Sequence, residues 1–403
     1  MAFLNRRTPP HFMTLILLAA LSPLTMNTFL PALPTIAADL NSSPEVAGLA
    51  VGVFLATSAV LQIFGGFLSD RYGRRPIALW AILAFILSTL AVHFVSTMGQ
   101  FLALRVVQGL SAVALLVSRA IVHDTEAPEN AASKIGYVTM GMAIIPMFSP
   151  AVGGLVSAAY GWRAIFTCLA GIGVGVGILC YFDQGETKQR GDVSLSRQFS
   201  AYGQLTRSYR FWGYALAAGL GSGAFFAYLG GAPIVGAREY GLDEHMLGLF
   251  FGAPAVGYVL GNFLSGINKG RLSVNTMILS GLSLTVASCL ISAALSMMGL
   301  SSQYTFFGLM TCVGLGNGIT LPSTTVGAMQ VKPELSGSAG GLASAIIIGC
   351  GAILSALAGI VLSNPAYGDR PLLILMATTS VMGIGAALWA HIIEKRRAAE
   401  KHT

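Results

Sequence analysis

The sequence predicts an all-α membrane protein with twelve transmembrane helices in two pseudo-symmetric bundles of six. The composition, a series of long apolar runs and a loose internal repeat together predict this fold class. Of the 403 residues, 54% are hydrophobic and only 10% are charged, whereas soluble proteins carry about 25% charged residues. The mean hydropathy is +0.72. These values leave too few charges for a large soluble domain.

The apolar runs define the expected spans, because about 20 consecutive apolar residues cross a bilayer as a helix. A polar stretch, 183–210, separates the sixth run from the seventh. We therefore predict an N-terminal bundle at 1–182, a cytoplasmic linker at 183–210 and a C-terminal bundle at 211–403. The twelve runs are 12–36, 46–69, 76–95, 99–121, 133–158, 163–182, 211–236, 246–267, 273–297, 303–326, 337–362 and 371–393.

Two short segments recur between the halves. Residues 30–34 (LPALP) return loosely as 229–233 (LGGAP), and residues 65–69 (GGFLS) return as 261–265 (GNFLS). Either match alone could arise by chance in glycine-rich runs. Because both fall at equivalent runs, they favour two repeated six-helix halves.

The positive charges predict the orientation. Of the 23 Lys and Arg residues, eighteen fall on one side of the predicted spans, and three fall on the other, namely Arg163, Arg238 and Arg370. The remaining two, Arg105 and Arg119, lie within the fourth span. Cytoplasmic loops carry the excess of Lys and Arg. We therefore expect a multi-pass protein of a bacterial cytoplasmic (inner) membrane with both termini on the cytoplasmic side. The net charge of +7 is spread over short loops, which sets topology and gives no reason to expect a nucleic-acid partner.

The second connection, 65–76, reads GGFLSDRYGRRP. Its carboxylate is expected at the water boundary, since a charge in hydrocarbon is costly. The ordered set resembles the loop signature of the major facilitator superfamily of transporters. That resemblance implies a charge network that closes the cytoplasmic side, made by Asp70, Arg71, Gly73, Arg74, Arg75 and Asp124. The alternatives are a plain basic loop and, for Asp124, a solvated loop acid.

Arg105 begins the sequence RVVQG in the fourth run. A charge inside a span faces a cavity or a partner, or its side chain extends to the water boundary. The stretch resembles the superfamily's fourth-helix motif, Arg-x-x-Gln-Gly. That resemblance implies an arginine that faces the central cavity and is associated with proton coupling.

The fifth run contains PMFSPAVGG at 146–154. It resembles the antiporter motif of exporters, which ends Gly-Pro-x-x-Gly-Gly, with Ser149 in place of the first glycine. The resemblance implies a bendable helix formed with Pro146, Pro150, Gly153 and Gly154, and it favours export over uptake. An ordinary kinked span is the alternative.

Within the superfamily, the chain resembles the Bcr/CflA-type drug-resistance exporters, which are drug:proton antiporters. Residues 27–34 (NTFLPALP) carry part of this likeness, but Asn27 occupies the position of that family's first-helix aspartate. None of the 16 acidic residues is expected in the middle of a span. A cavity with an arginine and no carboxylate favours neutral, zwitterionic or anionic substrates over cations, and it leaves no evident proton carrier.

Polar and aromatic residues inside the runs complete the candidate substrate site. Amides are the stronger candidates, because an amide in hydrocarbon needs a partner. Aromatic residues are equally expected in packing or at the lipid boundary. The candidates are Asn27, Gln62, Arg105, Tyr137, Phe225, Phe226, Tyr228, Tyr258, Asn262 and Asn317.

No metal, cofactor or enzymatic activity is expected, because the five cysteines lie in apolar runs without CxxC spacing and no HExxH or GxSxG pattern occurs. We interpret the chain as a monomeric secondary active transporter that exports a small organic molecule, a drug or a metabolite. It would work by alternating access, driven by the proton gradient. The alternative is an exporter of an endogenous anionic metabolite, such as a carboxylate siderophore or a metal chelate.

Overall fold

The computed structural model describes residues 10–125, 128–187, 195–268 and 271–400, and the regular elements in these ranges are all helical. The all-α membrane fold is therefore confirmed. The chain divides into two compact units. Unit 1 comprises Met1–Ser194 with Asp243–Leu249, and unit 2 comprises Leu195–Leu242 with Phe250–Thr403.

The helices up to residue 183 form most of unit 1. They are α1 (Phe12–Asn27), α2 (Leu33–Asp39), α3 (Pro44–Tyr72), α4 (Arg74–Ala91), α5 (Met98–Gln108), α6 (Ser111–Thr125), α7 (Pro128–Tyr160) and α8 (Trp162–Asp183), with short 3-10 turns at Leu30–Ala32 and Val92–Phe94.

The remaining helices follow the linker. They are α9 (Leu195–Thr206), α10 (Tyr209–Tyr240), α11 (Glu244–Phe251), α12 (Ala253–Ile267), α13 (Val274–Met297), α14 (Gln303–Met329), α15 (Ser336–Val361) and α16 (Arg370–Glu400), with 3-10 turns at Pro333–Leu335 and Pro365–Tyr367.

Eleven helical segments in the described part of the chain are long and apolar enough to cross a membrane. The predicted fifth span, 133–158, falls in α7, which runs for 33 residues. This helix is not among the eleven; its portion Ile145–Tyr160 is a shorter apolar helix in addition to them. The twelve predicted runs therefore each coincide with helical structure.

Several spans consist of two helical segments. The first is divided between α1 and α2, the fourth between α5 and α6, and the eighth between α11 and α12. Prolines contribute to two of these divisions, since Pro31 and Pro34 follow α1 and Pro254 lies at the start of α12. Proline lacks the N–H that would continue the helical ladder.

Unit 1 has an aromatic core beside the first break. The rings of Phe29, Phe101, Trp162 and Phe166 meet mostly edge to face, with centroids 5.8–6.2 Å apart. This arrangement is favourable for aromatic quadrupoles. It fixes the start of α8 against α5 and against Phe29, two residues after the end of α1.

Unit 2 shows the close backbone packing that the 49 glycines anticipate. In α12, Gly257 and Gly261 are four residues apart, as are Gly314 and Gly318 in α14. A Cβ added at any of the four would overlap a backbone atom of the facing helix. Small residues at this spacing allow two helix backbones to touch, which gives packing and stability in a bilayer.

A carboxylate joins the first and last spans of each unit at one end. In unit 1, Asp183 is fully buried and accepts hydrogen bonds from the His11 N–H at 2.7 Å and the Thr14 hydroxyl at 2.6 Å. In unit 2, Glu394 pairs with Arg210 at 2.5 Å and accepts from Asn275 at 3.0 Å. The sequence analysis placed Asp183 in the polar linker, whereas it is the last residue of α8, and its carboxylate bonds the residue that precedes α1.

Candidate functional site

Arg105 lies in α5 of unit 1 and is fully buried. Its Nε donates to the Ala50 carbonyl in α3 at 3.4 Å, and its Nη1 donates to the Thr25 carbonyl in α1 at 3.2 Å and to Gln108 Oε1 at 2.6 Å. One arginine thus joins three spans. Its Nη2 is buried and has no hydrogen-bond partner among the described residues.

Two phenyl rings enclose the Arg105 guanidinium. Its Cζ lies 4.2 Å from the ring centroid of Phe29 and 4.7 Å from that of Phe54. Desolvated cation–π contacts are worth about 2 kcal/mol. The charge is therefore held by ring faces, two carbonyls and an amide, and within the described ranges it makes no ion pair with a carboxylate.

The Arg105 guanidinium donates a hydrogen bond to the backbone at the break in the first span. Because α1 ends at Asn27, the Thr25 carbonyl belongs to its last turn, where carbonyls lack a helical partner. Arg105 supplies the missing donor. Asn27 itself is buried, and its amide donates back to the Pro23 carbonyl at 2.8 Å. Arg105 is enclosed in this structure and meets a helix break, so it is not exposed to an open cavity.

The predicted antiporter segment packs on the same break. A Cβ added at Gly153 would overlap the Thr28 carbonyl oxygen, which shows how closely α7 approaches the residue after α1. The neighbouring Gly154 lies against the Glu244 carbonyl in the same way, and a Cβ at Gly248 would lie 2.6 Å from the Pro150 carbonyl oxygen. Both predicted prolines, Pro146 and Pro150, lie inside α7.

The other candidate residues of unit 1 are less well placed. Gln62 is buried in α3, as an amide inside a span should be. Tyr137 lies outside the residues whose side chains the structure describes. The sequence did not single out Phe29, Phe54 or Gln108, although the Arg-x-x-Gln spacing places Gln108 one helical turn from Arg105.

In unit 2, the candidate residues include a buried amide and a buried phenol. The Ser222 hydroxyl donates to Asn317 Oδ1 at 3.0 Å. Tyr228 is 1% exposed, its ring lies 4.9 Å from that of Phe251, and its hydroxyl has no hydrogen-bond partner in the described part of the chain. A buried phenol without a partner can donate a hydrogen bond to a bound molecule.

The remaining candidates in unit 2 are partly exposed. Phe225 and Phe226 pack ring to ring at 5.9 Å. The Asn262 amide donates to the Tyr258 carbonyl at 2.9 Å, which satisfies that amide within α12. Partly exposed aromatic rings are available to a ligand or to lipid, so geometry alone does not separate these uses.

The predicted gate residues meet around Arg74, which is buried. Arg74 pairs with Asp70 at 2.5 Å and with Asp124 at 2.9 Å, and it donates to Ser69 Oγ at 2.6 Å. Charge-assisted hydrogen bonds of this length are strong. The structure therefore brings Asp70, Arg74 and Asp124 together.

Gly73 forms the turn between α3 and α4 with a φ of 98°, a backbone conformation that favours glycine. Among the described residues, the side chains of Arg71 and Arg75 make no ion pair with the carboxylates that hold Arg74. Arg71 is exposed and stacks over Phe67 and Tyr72, with Cζ at 6.0 and 5.8 Å from the two ring centroids. Arg75 donates to the Tyr181 carbonyl at 3.0 Å.

Glu186 is a member of this cluster that the sequence analysis missed. Its carboxylate accepts from the Arg74 N–H at 2.8 Å and the Arg75 N–H at 3.2 Å, so it caps the first turn of α4. Thr187 beside it donates to Asp124 at 3.3 Å. The only sequence signal was an acid shortly after the sixth apolar run, and that signal does not reveal a cap on another helix.

The cysteines offer no metal site in the structure. Cys180 and Cys289 are buried, and all five are free thiols. Within the described residues there is no group of three His, Cys, Asp or Glu side chains that could hold a metal ion.

Comparison with known proteins agrees with these features. The sequence model of the Major Facilitator Superfamily matches residues 15–356. A bicyclomycin resistance protein homolog of Haemophilus influenzae is 26% identical over 376 residues, covering 92% of this chain and 94% of that protein. An uncharacterized MFS-type transporter of Bacillus subtilis, YdgK, is 30% identical, covering 91% and 92%. Multidrug resistance protein D of Escherichia coli is 26% identical, covering 94% of each chain.

Solved structures share the fold at low identity. The D-xylose-proton symporter superposes with a TM-score of 0.73 at 14% identity, covering 94% of this chain and 95% of that one. A bacterial homolog of the human lysosomal transporter Spinster, in an inward-facing and unoccupied conformation, superposes with a TM-score of 0.72 at 16% identity, with the same coverage.

Proposed function

Since the chain belongs to the Major Facilitator Superfamily and is a multi-pass membrane transporter, we propose that it exports a small organic molecule across the bacterial inner membrane. The transporter would act as a monomer by alternating access, driven by the proton gradient. The observation that carries the direction is the Gly153–Gly154 pair of α7, in which Gly153 packs on the broken first span and Gly154 on the Glu244 carbonyl. Relatives that match more than nine-tenths of this chain are named as resistance proteins, which supports the same direction.

The substrate class follows from the environment of Arg105. This buried cation is balanced by neutral groups, so it produces a positive potential at the break in the first span. In a low-dielectric interior such a potential is weakly screened. It favours neutral, zwitterionic or anionic molecules over cations. Arg105 would act through this potential and by positioning Asn27, since its guanidinium is enclosed in this structure.

Tyr228 and Asn317 are the groups of unit 2 that we propose to hold the substrate by hydrogen bonds. The phenol has an unused donor, and the amide is fixed by Ser222. Buried polar groups placed among aromatic rings are typical of small-molecule sites. The second candidate, an anionic metabolite such as a carboxylate siderophore, is favoured by the unpaired Nη2 of Arg105.

A resistance panel tests the proposed function. The chain would be expressed in bacteria that lack their own exporters, and inhibitory concentrations would be measured for neutral, anionic and cationic compounds, with bicyclomycin and chloramphenicol included. Export predicts raised inhibitory concentrations for neutral or anionic compounds. Greater sensitivity would indicate uptake, and resistance confined to cations would contradict the proposed role of Arg105.

We expect the termini and the linker on the cytoplasmic side, because most Lys and Arg residues fall there. Gly241, which ends α10 in the left-handed conformation, should lie outside. Reporter fusions after Thr403 and at Gly241 should therefore report opposite sides of the membrane. Activity of both fusions on one side would contradict the orientation.

We propose that Asp70, Arg74 and Asp124 close the cytoplasmic side during turnover. Asp70→Asn removes one of the two charges on Arg74, and a hydrogen bond to a charged group is worth about 1.5–3 kcal/mol. Turnover should therefore fall about tenfold, at about 1.4 kcal/mol per factor of ten, with little change in substrate affinity. Initial transport rates and binding, measured at equal expression, check this.

Glu334→Gln is the matched control, since Glu334 is an exposed acid outside the cluster. It should leave both rates and binding unchanged. Unchanged turnover in Asp70→Asn, or an equal loss in Glu334→Gln, would count against a gate at Arg74.

A further inference from the structure

A groove of about 390 Å³ opens on the outer face of α4, next to the gate. Its lining residues are Arg75, Pro76, Leu79, Trp80 and Leu83. Their spacing of three and four residues places them on one side of the helix. Trp80 is 69% exposed and Leu83 is 42% exposed, so the groove faces outward from unit 1.

The surface that continues from this groove is apolar. Leu87 and Leu90 lie one and two turns further along α4 and are also exposed. In a transmembrane helix, such a stripe faces hydrocarbon. Tryptophan at the end of a span marks the level of the lipid head groups. The groove therefore leads from the head-group level into the acyl region.

The polar end of the groove is the guanidinium of Arg75. In the described residues, the Arg75 side chain makes no ion pair. Its Nη2 donates to the Tyr181 carbonyl, its Cζ lies 5.3 Å from the Tyr181 ring centroid, and its buried Nε has no partner. The nearby Glu186 carboxylate bonds the backbone N–H of Arg75, not its guanidinium. Arg74 differs, because two carboxylates hold its side chain.

We propose that this groove binds one anionic phospholipid, with its phosphate on Arg75 and an acyl chain along Leu79 and Leu83. A guanidinium matches the geometry of a phosphate, and an apolar groove matches an acyl chain but not a free phosphate ion. The cytoplasmic leaflet supplies anionic lipid at this depth. Arg74 and Arg75 are consecutive and share the Glu186 cap, so the lipid would sit directly beside the proposed gate.

Native mass spectrometry of the purified full-length chain tests the site. The protein would be mixed with equal amounts of phosphatidylglycerol and phosphatidylcholine that carry the same acyl chains. The wild-type protein should retain more phosphatidylglycerol than phosphatidylcholine. A basic residue near an anionic lipid surface contributes about 1 kcal/mol to the binding free energy. Arg75→Gln should therefore lower the retention of phosphatidylglycerol about fivefold.

Further variants separate a built site from general attraction. Leu83→Trp should lower retention by filling the groove while leaving Arg75 in place, and Arg75→Lys should preserve part of the preference for the anionic lipid. Arg207→Gln is the charge control, because Arg207 is exposed and outside the groove. Equal retention of the two lipids by wild type would overturn the proposal. So would an equal loss in Arg207→Gln, or full retention in folded Arg75→Gln and Leu83→Trp.

Discussion

Arg105→Ala is expected to weaken substrate binding by about tenfold or more and to lower the unfolding temperature. The change removes the donor for the Thr25 and Ala50 carbonyls and the filling between Phe29 and Phe54. The lost hydrogen bonds lower stability, since each bond to a charged group is worth about 1.5–3 kcal/mol. Binding should weaken because the positive potential at the break is lost, and a tenfold loss of affinity corresponds to about 1.4 kcal/mol. Tryptophan quenching by a substrate from the resistance panel, together with thermal unfolding, measures both effects.

Two further variants isolate the cause. Arg105→Lys should restore binding only partly, because an ammonium group lacks the planar fork that joins the carbonyls. Arg163→Ala is the matched control, since its side chain is 36% exposed and pairs with Asp39 at 2.6 Å. An exposed pair of this kind is worth about 1 kcal/mol or less. Undiminished binding in folded Arg105→Ala would remove Arg105 from the substrate site.

Gly153→Ala should strongly reduce the yield and thermal stability of the folded protein. The new Cβ would overlap the Thr28 carbonyl oxygen, which is backbone and cannot rotate away. Overpacking costs about 1–3 kcal/mol even where side chains can adjust, and here α7 or the first span must move. Size-exclusion chromatography and thermal unfolding of the purified variant give the result.

Gly171→Ala serves as the control for this substitution. Gly171 lies inside α8, and an added Cβ there would meet no atom within 4 Å. Since alanine is the better helix former by about 1 kcal/mol, this variant should be as stable as wild type or more so. Normal stability in Gly153→Ala would show that α7 does not pack closely on the broken span.

The spans were predictable from sequence because hydrocarbon thickness fixes their length and excludes charge. The length of the fourth run placed Arg105 inside a span. The exclusion of charge placed Asp70 and Arg74 together in the connection between the second and third spans. The breaks were less predictable. Pro31 and Pro34 indicate an interruption, but the exact end of α1 at Asn27 depends on the donor that Arg105 provides.

Other features could not be predicted, because they depend on contacts between distant segments. Glu186 caps a helix whose first residue, Arg74, lies 112 positions earlier, and Asp183 bonds the N–H of His11, which lies 172 positions earlier. Both read as linker acids when only local sequence is considered. Phe29 and Phe54 are ordinary apolar residues in their runs, and only folding places their rings on Arg105.

The central claim, proton-driven export, is tested most directly by substrate uptake into proteoliposomes under an imposed pH gradient. With an acidic interior, protons leave the vesicle and should drive substrate inward, so accumulation should rise above equilibrium and collapse when an ionophore removes the gradient. The Arg105→Ala protein should show little of this uptake. Accumulation that is the same with and without the gradient would contradict the account.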